Sequence, residues 1–181
     1  MRVRLLQLAA LLWLCGCAAL DGPRTIEVSR AQLEEQIARQ FPFRSRFLEL
    51  LDVTVSAPRL SLMPEANRIA TALEVSTGEP LTGRSWHGAL LMNYRLRFEP
   101  ADNTVRLAEV RVERFRIDGL PSALQPKVSL VGSMLAEELL KNQPVHTLKA
   151  EDVQRMQARG LMPGELVITS NGLSIPLKGA K

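Results

Sequence analysis

The side chains best suited to chemistry in this sequence are few. It holds two cysteines, Cys15 and Cys17, and two histidines, His87 and His146. Only Cys17 stands in a context that specifies a reaction. It closes the run Leu14-Cys15-Gly16-Cys17, which has the form of a bacterial lipobox: a branched residue at −3, small residues at −2 and −1, then cysteine. In such a motif the thiol receives a diacylglyceryl group, and the chain is then cut on the amino side of that cysteine. Cys15 is the competing acceptor, but it would put Trp13 and Leu14 just before the cut, where small side chains are required. Upstream, Arg2 and Arg4 precede an apolar stretch from Leu5 to Leu14. Ten helical residues rise only about 15 Å, half a bilayer's hydrocarbon thickness, so this stretch reads as a secretory signal and not as a transmembrane span.

The expected organisation is therefore a signal peptide over 1–16, a lipidated tether over 17–24 and one domain over 25–181. Acylation at Cys17 implies stable membrane anchoring, because three acyl chains exceed the two signals such anchoring needs. Ala18, in place of aspartate, follows the cysteine. That favours the periplasmic face of the outer membrane. Cleavage removes Cys15 and acylation consumes Cys17, so neither a free thiol nor a disulfide is expected in the mature chain. The formal charge of +4 includes Arg2 and Arg4, and subtracting them leaves +2. So small and dispersed a charge gives no reason to expect a nucleic-acid partner.

Elsewhere the inventory argues against an enzyme. His87 falls on the polar side of an alternating segment, and His146 lies in a polar stretch after Pro144. No H-x-x-x-H, C-x-x-C, P-loop or G-x-S-x-G pattern occurs, so no cofactor and no metal is expected. Glu34-Glu35 and Glu137-Glu138 are adjacent residues on helices, which point apart and read as solvated faces.

The elements that would position any site are well signalled. Ser29 and Gln32 make a capping box, with Leu33, Ile37 and Phe41 recurring at helical spacing and Pro42 as a stop. Extended segments are expected at Thr25 to Val28, Leu51 to Val55, Arg59 to Met63 and Arg68 to Ser76. Trp86, Gly88, Leu90, Met92, Tyr94, Leu96 and Phe98 alternate with polar residues, which predicts a long strand buried on one side. From Thr104 to Ile117 the apolar parity slips twice, from Val105 and Leu107 to Val110 and Val112, then to Phe115 and Ile117. Such slips predict β-bulges. A long helix is expected from about Pro121 to Asn142, with Leu124, Val128, Val131, Leu135 and Leu139 as its stripe, and a short one from Glu151 to Arg159 ended by Gly160. Asn171-Gly172, between the runs Glu165 to Ser170 and Leu173 to Leu177, predicts a hairpin. The fold class is α+β, a curved antiparallel sheet with helices against its apolar face.

Candidate lining residues for a space between helix and sheet are Trp86, Leu90, Met92, Tyr94, Val128, Val131, Met134 and Leu135. Pattern alone leaves open whether they line a groove or fill a core.

Several motifs resemble the YceB-like family of Gram-negative lipoproteins. They are Thr25-Ile26-Glu27-Val28 leading into the first helix, Glu109-Val110, Asn142-Gln143-Pro144-Val145, and Pro163-Gly164-Glu165-Leu166-Val167-Ile168. The resemblance spans nearly the whole mature chain and departs at Leu173 to Leu177. It implies a long helix wrapped by a strongly curved antiparallel sheet, an architecture likened to the tubular lipid-binding (TULIP) superfamily. A lipid or similar apolar ligand between helix and sheet is the function it implies. The rival expectation is a structural or adaptor lipoprotein that docks onto an envelope protein complex without a small ligand.

Overall fold

The structure is a computed structural model that describes residues 25–39, 42–47, 51–78 and 85–179. Cys17, the leader, the tether and Phe41 lie outside the described residues. The chain forms β1 (Thr25–Ser29), α1 (Arg30–Ala38), β2 (Phe43–Phe47), β3 (Leu51–Met63), a 3-10 turn at Pro64–Ala66, β4 (Arg68–Gly78), β5 (Ser85–Glu99) and β6 (Thr104–Ile117). There follow α2 (Gln125–Leu140), β7 (Pro144–Thr147), α3 (Ala150–Gln157), β8 (Leu161–Pro163), β9 (Val167–Thr169) and β10 (Gly172–Gly179).

The architecture is α+β, built on a strongly curled antiparallel half-barrel of six strands in the order β2-β3-β4-β5-β6-β7. Register aligns the apolar parity across this sheet. Leu62 opposes Ile69 and Ile69 opposes Tyr94, while Leu73 opposes Leu90 and Leu90 opposes Phe115. One face is thus apolar from strand to strand. The curl has a visible cause in bulges. Between β5 and β6 the register shifts at Leu91/Met92 and again between Asn93 and Arg95, the two places where the sequence parity slips. Extra residues on one strand bend it and increase its twist. Glu109, at the second bulge, has φ +47, a conformation a non-glycine residue adopts only when its surroundings hold it.

Arg68 is what holds it. Its guanidinium is buried, donating to the Asn93 side-chain oxygen and to the Glu109 carbonyl, and it pairs with the Glu109 carboxylate at 3.1 Å. Asn93 passes a hydrogen bond on to Glu113 at 2.5 Å. A residue of the polar strand face is therefore buried under an arginine, because the bulge exposes a carbonyl that needs a donor.

A second sheet, β1-β10-β8 with β9 also paired to β10, closes one end of the curl. Leu166, Ile168 and Leu173 join Leu33 of α1 and Leu60, Ile69, Leu73, Leu90, Met92, Tyr94, Val105 and Leu107 in one buried cluster. Asn67, left-handed at φ 51, fastens the two sheets: its side chain donates to Leu166 O at 3.1 Å and accepts from Ile168 N at 2.7 Å. The Leu173 to Leu177 run thus belongs to this closing sheet and does not lengthen the curled one.

Three expectations are corrected. Leu51 to Val55 and Arg59 to Met63 are one strand, with Pro58 absorbed at a register shift between Ser56 and Arg59. Proline lacks an N–H, and a bulge is where a ladder can spare one. The helix expected from Pro121 to Asn142 runs only from Gln125 to Leu140, because residues 121–124 form a turn whose Leu124 N–H bonds Pro121 O, and Pro126 supplies no donor for an earlier turn. Glu165 to Ser170 narrows to the three-residue β9. The first helix is built as expected, with Ser29 and Gln32 exchanging both capping-box bonds.

Candidate functional site

The inner face of the curled sheet changes character along its length. Toward the closing sheet it is packed, with Ile69, Leu73, Leu90, Met92 and Tyr94 all buried. Among them, the Tyr94 and Thr71 hydroxyls share one hydrogen bond of 3.0 Å. Burial pushes the Tyr94 phenol above its ordinary pKa, and the bond to Thr71 works against that rise. At the other end the same face holds Val53, Val55, Val75, Thr77 and Trp86, all only half-buried. Register places Val53, Thr77 and Trp86 in one row across β3, β4 and β5. Thr77 Oγ1 is enclosed yet, among the described residues, has no hydrogen-bond partner. An enclosed hydroxyl without a partner is uncommon and calls for an explanation.

α2 lies along the edge of β6 beyond the short β7, which pairs only with residues 104–106. It covers an edge that would otherwise present open backbone groups. Ser129 Oγ donates to Phe115 O at 2.6 Å, and Glu137 accepts from Val112 N at 2.7 Å. The contact runs through small residues. Gly132 sits on the Phe115 ring so closely that a Cβ there would fall 2.4 Å from the ring's Cε1. Ala136 and Leu140 pack on the core nearby.

Because α2 approaches through this side, its bulkier side is left uncovered. Leu124, Leu130, Val131, Met134, Leu135 and Leu139 are 47–64% exposed. The eight expected lining residues therefore fall into separate groups. Leu90, Met92 and Tyr94 belong to the closed core, and Trp86 stands half-buried at the other end of the same face. Val131, Met134 and Leu135 share the outward side of α2, and Val128 lies half-buried between. The structure does not bring all eight to one lining.

At the junction of β6 and α2 lies an open depression of about 510 Å³, lined by Arg116, Ile117, Leu120, Ser122, Gln125 and Pro126 among others. Arg116 pairs with Asp118 across 3.1 Å. The sequence reading did not single it out; its signal was the turn-forming Asp118-Gly119 ahead of Pro121, with Gly119 at φ +78. The two histidines are remote from one another: Asp118 N bonds His87 O at one end of β6, while His146 pairs with Val105 at the other. Among the described residues no group of three or more His, Cys, Asp or Glu side chains converges to hold a metal, and no helix is long and apolar enough to cross a membrane. Compared with protein-family models and with curated proteins, the chain matches none.

Proposed function

We propose that this chain is an envelope lipoprotein, anchored by acylated Cys17 at the periplasmic face of the outer membrane, that holds a lipid or similar apolar ligand on the inner face of its curled sheet. In this reading it belongs with the YceB-like lipoproteins and shares the tubular lipid-binding plan, with α2 as the helix beside the sheet. The observation that carries it is the unfinished end of the inner face. Apolar residues from three strands stop half-buried there, around Trp86, beside an enclosed hydroxyl on Thr77. A core with nothing further to enclose would continue the packing seen at Tyr94.

The chemistry is burial. Each methylene moved from water contributes about 0.8 kcal/mol, so a chain of about twelve carbons offers roughly 10 kcal/mol, enough to offset the usual cost of association. No covalent step is involved. Native mass spectrometry of the protein purified from its own envelope tests the reading. A retained mass that apolar competitors displace is expected; protein that is reproducibly empty, and that takes up neither phospholipid nor fatty acid, would refute it. The second reading, an adaptor docked on an envelope protein complex, is favoured by the uncovered side of α2.

A further inference from the structure

The outward side of α2 is apolar, yet its two central charged residues are of opposite sign. At 100° per residue, Lys127 and Glu138 are three turns apart and within about 20° of the same line along the helix. They lie about 8 Å on either side of a midpoint between Gly132 and Ser133. Val131 and Met134 flank that midpoint at equal distances, and Leu130 and Leu135 do so one step further out. All six are exposed. A surface whose residues exchange in pairs about one midpoint, with charges that exchange sign, is complementary to itself when turned end for end.

We infer that this side of α2 is covered by a second copy of the chain, packed antiparallel about a two-fold axis through that midpoint. The pairing sets Lys127 of each copy against Glu138 of the other, twice. It seats Met134 beside Leu130 of the second copy and Val131 beside its Leu135. Such an interface is isologous and closes on itself, as two-fold dimers must. Among the described residues the charges are free to serve it: Lys127 makes no ion pair there, and Glu138 makes only an exposed contact of 3.6 Å with Lys141 one turn away. Exposed contacts of that kind are weak and exchange readily. An unrelated partner would have no reason to require equal spacing of opposite charges about the centre of this helix. One helix face is a small contact, and copies anchored in one membrane through Cys17 would meet at a raised effective concentration. The inference does not depend on whether the inner face holds a ligand.

Charge exchange on the full lipidated chain tests it, with dimer fraction read by sedimentation equilibrium in detergent and by cross-linking in phospholipid vesicles. Light and heavy isotopic copies, mixed and treated with a zero-length carbodiimide, should yield an amide between Lys127 of one and Glu138 of the other. K127E alone and E138K alone should each lower the dimer association constant by about tenfold or more, since two attractive pairs become repulsive. The doubly exchanged chain, K127E with E138K, should recover it. Far-ultraviolet circular dichroism establishes that each variant is folded. The inference is overturned if no mixed-isotope link forms in vesicles, or if the double exchange associates no better than the singles. It is also overturned if the single exchanges have no effect while Val131→Asp alone abolishes association, which would leave self-association on this side of α2 but not in the antiparallel register that sets Lys127 against Glu138.

Discussion

Replacing Arg68 with methionine separates the bulge anchor from simple packing, because methionine keeps much of the aliphatic stem and loses every donor. In the native fold the guanidinium, 8% exposed, serves the Asn93 side chain, the Glu109 carbonyl and the Glu109 carboxylate. Charge-assisted hydrogen bonds contribute about 1.5–3 kcal/mol each, and relief of the buried charge offsets part of their loss. The carboxylate of Glu109 is half-exposed, so its ionic share is screened to under about 1 kcal/mol. What remains is the Glu109 carbonyl, left without a donor at φ +47, and an Asn93 oxygen left without its partner. The net loss should be about 3 kcal/mol. With a urea slope of about 2 kcal/mol per molar, the denaturation midpoint falls by roughly 1.5 M. R68K keeps the charge but cannot reach Asn93 and Glu109 together, so it should recover less than half of the loss. A midpoint for R68M within about 0.3 M of the parent would refute the claim that Arg68 holds the bulge.

Other outcomes follow from single residues. Tyr94 is the only tyrosine, so absorbance at the phenolate band reports it alone. Because burial raises its folded pKa, the stability it supports is complete below the ordinary phenol value and is lost as pH rises toward the raised one. Ionisation should therefore appear above the ordinary range and coincide with loss of structure; titration at the usual phenol value with the fold intact would contradict its burial. Gly172→Ala should cost roughly 3 kcal/mol or more, measured by urea denaturation. Its φ of +152 is held against β1, where a Cβ would fall 2.0 Å from Val28 O. Cys17→Ala should abolish incorporation of labelled palmitate and leave a mass that retains residues 1–16; normal processing would move the acylation site elsewhere.

How much of this was readable in advance depended on whether a signal was local. The double slip of parity along β6 announced its bulges, since alternation has only two phases and a change of phase needs an extra residue. The Ser29 box was equally local, and so was the hairpin, although its turn falls one residue early, at Ser170-Asn171, with Gly172 already paired to Thr169. Arg68 gave no such sign: an arginine in a strand reads as a solvated residue, and its burial depends on a carbonyl released more than forty positions away. The strands β7 and β8, of four and three residues, exist through their partners and carry no periodicity of their own. The facing of α2 was the costliest ambiguity. Its stripe of large residues looks like the packing side, but Gly132 admits the Phe115 ring and turns the helix to present Ser129, Ala136 and Leu140 instead. The expected lining was divided by that rotation.

Trp86 offers the most direct test of the proposed ligand binding at the half-buried end of the sheet's inner face. Trp13 is the only other tryptophan, so a domain expressed from residue 21 carries a single reporter at the proposed entrance. Titration with a fatty acid brominated along its chain should quench Trp86 fluorescence saturably, and an unbrominated chain should reverse the quenching by competition. Quenching no greater than that given by a short, water-soluble brominated acid, at every concentration below micelle formation, would contradict an apolar site beside Trp86.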